Sequence, residues 1–446
     1  MIKVTIIMPS LNVVDYIDEC IQSVMNQTLK EIQIICIDAG STDGTYEKLV
    51  RYSLQDSRIR LIKSNIKSYG KQINIGIEQA EGKYIGIVET DDFIDEHMYE
   101  ELYDLSERYD LDFVKGDYED VYCNAENSYL MMPVKMFNGY LSNYYNQIIS
   151  PTDMPILHEM GLNIWRGIYK RNFLVSNDIY LNETKGAAFQ DTGFYHQLII
   201  KSNRAMFVKN AYYKYRQDRM DSSFRNPNTL IYTYNEYRFI FDKFIQNNII
   251  NKYHYHHICV KMFREYVMHI KKYIITHNYA PKEIKKITPI INWFNNQIIY
   301  AVDDKIIQIS DFDNEIWNEY MLIKESIYDF IKLLELKSKI SKEMTDVFWE
   351  GLDNKKIIVF GTGKYGKNVS DLLYEKDYSV FAYCDNNKEI DEFEGKKVFL
   401  PEQAIDMFGD AIYIVASKLN ADEMKMQLET LGIDYNCIKK YNKVIM

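Results

Sequence analysis

The sequence predicts an α/β protein in three parts: an amino-terminal domain with a sheet flanked by helices, a central helical region, and a small carboxy-terminal α/β domain. The length of 446 residues suits about three domains. Short β-rich runs alternate with helical stretches through the first 120 residues, and a further strand, turn and helix begins at residue 355. Residues 223–350 instead show apolar residues at helical spacing. We therefore expect domains at 1–222, 223–350 and 351–446.

The amino-terminal strands are predicted from apolar, β-branched runs. These runs are VTIIMP, IQIICIDAG, IRLIK and KYIGIVET, separated by the helical stretches YIDECIQSVMNQ, TYEKLVRYSLQ and KQINIGIEQA. Such alternation is typical of a sheet with parallel strands, and ligands of these sheets bind beyond the carboxyl ends of the strands. The residues that follow the strands, at 9–12, 38–43 and 89–92, are therefore the first candidates for a site.

The later elements are predicted in the same way. YTYNEYRFIFDKFI and FREYVMHIKKYIITH carry apolar residues at helical spacing and predict the central helices. KKIIVFGTGKYGKNVSDLL then predicts a strand, a turn and a helix, and YSVFAYCD and AIYIVAS predict two more strands. A second, smaller sheet should therefore close the sequence.

Composition excludes several classes of protein. The 64 acidic and 53 basic residues give a formal charge of −11, which repels nucleic acid. The six cysteines form no CxxC pair, a pattern that fits a reducing cytoplasm. No apolar run approaches the ~18 residues of a membrane-spanning helix, and the first residues do not resemble a signal peptide. We expect a soluble cytoplasmic protein that also touches a membrane surface in some settings.

Three carboxylates follow the buried run Tyr84–Val88. They are Glu89, Asp91 and Asp92, and their crowding is costly without a cation. Mg²⁺ and Mn²⁺ prefer oxygen ligands and often bind one or two carboxylates together with substrate phosphates. The alternative is that one carboxylate caps the next helix and the others are solvated. The spacing alone leaves both interpretations open.

Six motifs occur in one order along the chain: MPSLN, DAGSTDGT, YGKQIN, AEGKYIGIVETDD, FQDTGF and YYKYRQ. Each is weak alone, but together they are far more specific. Over residues 1–225 the sequence resembles the family 2 glycosyltransferases of the GT-A fold. The resemblance implies a Rossmann-like mixed sheet flanked by helices and the transfer of a sugar from a nucleotide donor.

The resemblance also implies a set of site residues. The residues implied for the donor nucleotide are Pro9, Ser10, Asn12, Asp38, Lys71, Asp91 and Arg216. Asp91 and Asp92 are implied as ligands of Mn²⁺ or Mg²⁺ on the donor diphosphate. Asp191 matches the catalytic base, and the segment Tyr215–Gln217 matches one that closes over the diphosphate. Direct attack by a deprotonated hydroxyl predicts inversion at the anomeric carbon; the alternative for Asp191 is a helix cap.

The sequence departs from the family pattern at four positions. Ala39 stands where many relatives have a second Asp that recognises the base, which leaves uracil specificity open. Glu89 replaces a frequent Asp, so its longer side chain either reaches the site differently or stays out of it. Ile73 replaces a frequent Arg and leaves Lys71 as the phosphate contact, and Gln190 replaces a common Glu.

The carboxy-terminal part carries a glycine-rich turn. Gly361, Gly363 and Gly366 follow a predicted strand, and Asp385 ends the next strand 19 residues beyond Gly366. This context matches a dinucleotide-binding fingerprint, although too few residues remain for a complete two-part domain. The segment is similar to small Rossmann-like domains attached to bacterial sugar-modifying enzymes. A nucleotide or nucleotide sugar at this turn and a purely structural domain are both compatible with it.

Other residues have ordinary explanations. His254, His256 and His257 form a histidine cluster without a recognisable metal-ligand spacing, which favours a surface or interhelical role. Trp165 and Arg166 lie between the donor motifs and Asp191, where an acceptor would enter. Trp165 either stacks on a sugar or belongs to the core, and the core is the simpler interpretation.

The predicted function is that of a metal-dependent, inverting glycosyltransferase. The expected donor is a UDP-sugar, and the expected acceptor is a carbohydrate, in some relatives lipid-linked, in capsule or surface-polysaccharide synthesis. That setting implies a cytoplasmic location at the inner face of the plasma membrane. Two other functions remain open: a catalytically silent GT-A-like scaffold or binding protein, and a bifunctional protein whose carboxy-terminal domain modifies the sugar.

Overall fold

The chain divides into two compact units, Met1–Phe330 and Ile331–Met446. The computed structural model describes residues 1–123, 129–161, 163–217, 226–245, 250–353, 355–417 and 420–441. The predicted helical region 223–350 thus lies in the first unit up to residue 330 and in the second unit from residue 331 onward.

The first unit is built on one large mixed sheet. Its described strands are β1 (Val4–Ser10), β2 (Ile32–Asp38), β3 (Ile59–Lys63), β4 (Tyr84–Ile87), β5 (Phe93–Ile94), β6 (Phe113–Cys123), β7 (Tyr129–Val134), β8 (Gly167–Lys170) and β9 (Ala205–Arg216). They lie in the order β3-β2-β1-β4-β8-β6-β9-β5, and β7 pairs with β6. The strands β1 to β4 pair in parallel, whereas β8 is antiparallel to β4 and β6. The predicted mixed α/β architecture is confirmed.

The parallel strands are covered on both faces. All seven residues of β1 and all seven of β2 are buried, as expected for parallel strands between two layers of helices. Successive side chains of a strand point to opposite faces. Ile6 and Met8 of β1 accordingly belong to one core cluster, and Ile7 belongs to another that includes Ile73 and Phe194. A ligand therefore approaches this sheet at the strand ends.

Helices complete the first unit. They are α1 (Ile17–Met25), α2 (Thr45–Gln55), α3 (Tyr69–Gln79), α4 (Met98–Tyr109), α5 (Arg171–Ser176), α6 (Gln190–Lys201), α7 (Thr229–Ile240), α8 (Lys252–Thr276), α9 (Pro281–Asp303) and α10 (Asn314–Glu325). The next helix, α11 (Ile327–Trp349), begins in this unit and ends in the second. In the described ranges, no helix combines the length and the apolar character that crossing a bilayer requires.

The second unit contains a smaller, mainly parallel sheet. Its described strands are β10 (Ile357–Phe360), β11 (Val380–Cys384), β12 (Glu392–Phe393), β13 (Lys396–Phe399), β14 (Ile412–Val415) and β15 (Ile438–Lys440). They lie in the order β12-β13-β11-β10-β14-β15. The helices are α12 (Lys364–Tyr374), α13 (Pro401–Phe408) and α14 (Ala421–Thr430). Both neighbours of β10 are parallel to it, so a ligand crevice is expected at the carboxyl end of this strand.

Candidate functional site

A cleft with a volume of about 460 Å³ opens at the carboxyl ends of the strands in the first unit. Several of the residues predicted from the motifs line it together. They are Pro9, Ser10, Asn12, Asp91, Asp191 and Arg216. These residues come from sequence positions that lie far apart, and the fold brings them to one edge of the sheet.

An acidic cluster follows β4 at this edge. Carboxylate oxygens of Glu89, Asp91 and Asp92 lie within 4.8 Å of one another. Burial, together with the charges of Asp91 and Glu89, raises the pKa of Asp92 well above its usual value. A hard divalent cation relieves such repulsion and prefers oxygen ligands, so the cluster has the chemistry of a Mg²⁺ or Mn²⁺ site.

The three carboxylates do not face the same way. Glu89 and Asp91 line the cleft. Asp92, predicted as a metal ligand, is buried, and both of its oxygens accept hydrogen bonds: Oδ2 from the Tyr213 hydroxyl at 2.9 Å and Oδ1 from the Arg216 backbone N–H at 2.8 Å. Asp92 therefore holds the end of β9. The sequence left the orientation of the Glu89 side chain open, and in the structure Glu89 lines the cleft.

Two other residues that were predicted to bind the donor nucleotide do not line the cleft. Asp38 is buried, and its carboxylate accepts hydrogen bonds from the backbone N–H groups of Gly40 at 3.0 Å and Ser41 at 3.1 Å. It thereby shapes the turn after β2, where Ser41 Oγ also accepts a hydrogen bond from the Asn12 backbone N–H. Lys71 forms an ion pair with Glu183 at 3.1 Å. Any contact of Lys71 with a phosphate requires this pair to open.

Asp191 lies in the first turn of α6 and faces the cleft. Burial raises the pKa of Asp191 to about 6, and the charge of Glu265 acts in the same direction. The backbone N–H of Thr192 and the cation of Lys115 favour the ionised carboxylate and oppose this rise. A carboxylate with this pKa is ionised at neutral pH and is basic enough to accept a proton.

Gln190 fixes the loop that leads to Asp191. Its side chain is buried, and its Oε1 accepts a hydrogen bond from the Ala188 backbone N–H at 2.8 Å. Its Nε2 donates to the carbonyl oxygens of Gly186 at 3.1 Å and Thr184 at 3.3 Å. These donations need an amide, which explains physically why Gln replaces the Glu that is common at this position in the family.

Arg216 ends β9 and lines the cleft. Its guanidinium is paired with Glu19 and donates to the Tyr129 hydroxyl at 3.2 Å. It also lies over the rings of Phe93 and Tyr16, at 5.1 and 5.5 Å from their centroids. The cation is therefore already surrounded by an anion and aromatic faces.

Trp165 belongs to an aromatic stack beside the cleft. Its ring stacks on Tyr213, with centroids 4.0 Å apart, and on Tyr215 at 5.1 Å, and it meets Tyr118 edge-on at 5.0 Å. Only 4% of Trp165 is exposed, as expected for a core residue, yet Trp165 and Tyr215 both line the cleft. Arg166 is buried next to this stack, with its guanidinium 5.6 Å from the Tyr118 ring centroid.

Several lining residues were not singled out from the sequence. They are Tyr69, Gln72, Asn163, Phe189 and Asn226. Tyr69 and Gln72 belong to the YGKQIN motif, so the motif itself was the available signal. No sequence motif contains Asn163 or Asn226. These residues reach the cleft only because the sheet and the loops around them fold in this way.

Comparison with known families identifies the amino-terminal part of the unit that contains this cleft. Residues 5–171 match the model of the family described as "Glycosyl transferase family 2". This part of the chain belongs to the family 2 glycosyltransferases. Residues 353–439 of the second unit match a different family, described as "C2185-like, N-terminal".

Relatives of the glycosyltransferase domain have names of the same class. "Glycosyltransferase GlyG" of Streptococcus pneumoniae serotype 4 is 27% identical over 226 residues, or 48% of this chain and 70% of GlyG. The Escherichia coli enzyme "UDP-Glc:alpha-D-GlcNAc-diphosphoundecaprenol beta-1,3-glucosyltransferase WfgD" is 27% identical over 180 residues, or 38% of this chain and 70% of WfgD. The match spans 62% of the Bacillus subtilis relative EpsJ and 30% of GlyA of S. pneumoniae.

A solved structure shares the fold of the glycosyltransferase domain. The crystal structure of S. aureus TarS 1–349 in complex with UDP-GlcNAc superimposes with a TM-score of 0.53 at 16% identity, over 76% of this chain and 91% of TarS. The likeness supports the predicted GT-A architecture.

A second cavity, also of about 460 Å³, lies in the second unit at the carboxyl end of β10. Gly361, Gly363 and Asp385, predicted as nucleotide-binding, line it. Gly366 does not line it but allows close packing, since a Cβ there would lie 2.1 Å from the Gly361 carbonyl oxygen. Asp385 Oδ2 accepts hydrogen bonds from the Thr362 backbone N–H and hydroxyl, both at 2.8 Å. Asp385 thus holds the glycine-rich turn itself.

Three buried histidines of the first unit, His158, His196 and His254, are joined by hydrogen bonds. His254 Nε2 donates to the Thr152 carbonyl oxygen at 2.8 Å, so in a neutral ring its Nδ1 accepts from His158 Nε2, also at 2.8 Å. His158 Nδ1 then accepts from His196 Nδ1 at 2.8 Å. His196 Nε2 is a buried acceptor without a partner among the described residues. His256 and His257 instead meet the Ile306 carbonyl oxygen and Glu159.

Proposed function

We propose that this protein is a metal-dependent, inverting glycosyltransferase that transfers a sugar from a nucleotide sugar, a UDP-sugar, to a carbohydrate acceptor. One observation carries the proposal: the acidic pair Glu89 and Asp91, the carboxylate of Asp191 and the cation of Arg216 line a single cleft in a family 2 glycosyltransferase domain. The UDP-GlcNAc of the TarS complex and the UDP-Glc in the name of WfgD support the choice of donor class.

In this proposal the donor lies along the strand ends. Pro9, Ser10 and Asn12 contact the nucleoside, and the Ser10 hydroxyl is suited to this because it is buried and has no hydrogen-bond partner in the described ranges. Asp38 acts through the turn that it shapes, and Lys71 and Arg216 contact the phosphates after exchanging their carboxylate partners.

Glu89 and Asp91 are the residues that would hold Mn²⁺ or Mg²⁺. When bound, such a cation neutralises the diphosphate and lets it leave without protonation. Asp92 positions the end of β9 through its hydrogen bonds with Tyr213 and Arg216, and we propose it as a weaker ligand than Asp91. The arrangement needs one proton acceptor besides the acidic cluster.

Asp191 is the proposed proton acceptor. Its carboxylate takes the proton of the acceptor hydroxyl as the hydroxyl oxygen attacks the anomeric carbon from the face opposite the diphosphate. The new C–O bond forms as the bond to the diphosphate breaks, so the anomeric configuration inverts. The aromatic pair Trp165 and Tyr215 supplies an apolar wall for a sugar ring beside this base.

The proposed class of acceptor rests only on the name of one relative. The name of WfgD specifies a GlcNAc-diphosphoundecaprenol acceptor, which supports a lipid-linked carbohydrate in surface-polysaccharide synthesis. We propose that the protein acts in the cytoplasm, at the inner face of the membrane that holds such an acceptor.

The central test compares Asp191→Asn with the wild-type protein. We expect transfer to be lost, while UDP-sugar with Mn²⁺ still raises the thermal midpoint, because a ligand stabilises the folded state by mass action. Asp104→Asn, which changes an exposed aspartate of α4, is the matched control. Normal turnover by Asp191→Asn would remove this residue from the mechanism.

The metal assignment is tested in parallel. Asp91→Asn should lose both activity and the Mn²⁺ dependence of donor binding. An active variant that is indifferent to Mn²⁺ would refute the assignment, and wild-type silence across a broad panel of donors would favour the scaffold alternative.

A second function is favoured by the cavity of the second unit. We propose that it binds a nucleotide or nucleotide sugar at the turn from Gly361 to Gly366, as a binding site of a protein with two functions. A Cβ at Gly363 would meet no atom within 4 Å, so Gly363→Val adds a branched side chain at the cavity wall without a clash at its Cβ. We expect this variant to bind one equivalent of nucleotide fewer than the wild-type protein in calorimetric titration, and Asn420→Ala, which changes another lining residue, is a second probe.

A further inference from the structure

Tyr69 stands between the acidic cluster and the loop that carries Asp191. It is the first residue of α3, and its ring lines the cleft. Its hydroxyl donates a hydrogen bond to Glu89 Oε1 at 3.1 Å.

The backbone of Tyr69 is fixed from the side of Asp191. Its N–H donates to the Gly186 carbonyl oxygen at 2.9 Å, and the Gly186 N–H donates to the Lys67 carbonyl oxygen at 2.8 Å. The same Gly186 carbonyl oxygen accepts from Gln190 Nε2 at 3.1 Å. Gly186 has φ +96°, a conformation that favours glycine. A continuous set of hydrogen bonds thus joins the loop before Asp191 to the backbone of Tyr69.

Glu89 needs such a restraint. A glutamate has one more rotatable bond than an aspartate, and ordering it costs more conformational entropy. The backbone N–H of Glu89 is held by the Tyr213 hydroxyl at 3.0 Å, and its carboxylate by the Tyr69 hydroxyl. Tyrosines from α3 and β9 therefore fix both ends of this residue.

We propose that Tyr69 is a positioning residue that holds the Glu89 carboxylate on the cleft side of the acidic cluster and so sets its affinity for a divalent cation. This inference rests on the proposed metal-dependent function. Tyr69 touches a ligand rather than the cation, and it compensates for the longer side chain that distinguishes Glu89 from the aspartate of many relatives. Hydrogen-bonded partners of metal ligands are worth about 10- to 100-fold in metal affinity or activity.

The experiment measures Mn²⁺ binding to the full chain by the electron paramagnetic resonance signal of free Mn²⁺, without a donor. Tyr69→Phe removes one oxygen and keeps the ring, and we expect about tenfold weaker binding. Tyr52→Phe is the matched control, since Tyr52 also donates to a carboxylate, that of Asp18 at 2.9 Å, but does not line the cleft. It should bind Mn²⁺ as the wild-type protein does. Thermal midpoints in EDTA report folding.

A double-mutant cycle isolates the contact. With Glu89→Asp, whose carboxylate is too short to reach the phenol in the same way, adding Tyr69→Phe should change Mn²⁺ affinity no further. Equal affinity of wild-type and Tyr69→Phe protein overturns the inference and leaves the proposed function standing.

Two further results distinguish a failure of the proposed role of Tyr69 from a failure of the proposed metal dependence. Glu89→Gln keeps an acceptor for Tyr69 but loses the charge, and unchanged Mn²⁺ binding in this variant also overturns the inference, whatever Tyr69→Phe does. A wild-type protein that binds no Mn²⁺ either alone or with UDP overturns the metal dependence itself and the role of Tyr69 with it.

Discussion

Asp191 is removed from solvent and lies in the first turn of a helix. Together these surroundings determine the pH range in which its carboxyl group is ionised. Its pKa of about 6 lies above the 3.8 of an exposed aspartate, so between these values the folded protein holds a proton that the unfolded chain releases. The carboxylate is basic only above its folded pKa.

We therefore predict that transfer falls as the pH drops through about 6, because the protonated carboxyl cannot accept a proton. The measurement is kcat/KM between pH 5 and pH 8 at saturating Mn²⁺. Well below pH 6 the rate should fall about tenfold per pH unit. A flat profile from pH 5 to pH 7 would exclude Asp191 as the base.

Gln190 allows a second prediction at the residue scale. Glu at this position cannot donate to the carbonyl oxygens of Thr184 and Gly186, and it brings a buried negative charge close to Asp191. We expect Gln190→Glu to lower the free energy of unfolding by about 2–4 kcal/mol, since each unsatisfied buried group costs about 1–3 kcal/mol. Chemical denaturation measures this, and the exposed Gln55→Glu serves as control. Equal stability of the two variants would contradict the role of this amide.

The sequence motifs locate the cleft but not every side-chain direction within it. Pro9 and Ser10 end β1 and Asp91 follows β4, and strand order alone can predict that the ends of these two neighbouring parallel strands meet. The inward direction of Asp92 depends on Tyr213, 121 residues away, and the ion pair of Lys71 depends on Glu183, 112 residues away. Partners at such separations leave no trace in local spacing.

At the scale of elements, the parallel strands are easier to predict than the strands that complete the sheet. The strands β1 and β2 are continuous apolar runs because helices cover both of their faces. By contrast, β6 carries the buried polar residues Lys115 and Asp117. Their partners, the Asn163 carbonyl oxygen and the Tyr145 hydroxyl, come from segments outside the strand, so β6 does not stand out as a core strand from its composition.

The histidine chain between α6 and α8 predicts sensitivity to acid. Burial lowers the pKa of His196 to about 3, and burial with the neighbouring His196 and His254 lowers that of His158 well below 6.5. These groups stay neutral in the folded state while the unfolded chain takes up protons below pH 6.5. Stability is therefore complete above pH 6.5 and is lost as the pH falls toward the folded values.

We expect each of these two histidines to cost about 2 kcal/mol of stability between pH 7.5 and pH 5. His158→Gln should reduce this loss, as measured by urea unfolding at both pH values. His97→Gln changes an exposed histidine and should leave the loss unchanged. An identical loss of stability in wild-type and His158→Gln protein would show that the buried histidines do not take up protons between pH 7.5 and pH 5.

The whole molecule joins two sheets with separate cores. The first unit contains the family 2 domain, and the second has its own cluster of buried residues, including Ile358, Phe360 and Tyr413. The second sheet could be predicted because β10, its glycine-rich turn and α12 follow one another without interruption. The division at residue 330 could not, because it falls within the single helix α11.

At this scale we predict that sugar transfer does not depend on an occupied second cavity. Gly363→Val should transfer sugar at the wild-type rate within about twofold, because the proposed donor and base residues all belong to the first unit. Steady-state assays of both proteins measure this. A loss of tenfold or more would indicate that the two functions are coupled.

In the protein without a donor, the guanidinium of Arg216 is paired with the carboxylate of Glu19. In the proposed mechanism the donor diphosphate replaces this carboxylate, so it gains only the difference between two anions rather than the full attraction of an unpaired cation. A free monosaccharide carries nothing to exchange for that carboxylate. We therefore expect this proposed exchange to favour a sugar that carries a diphosphate over a free, uncharged sugar.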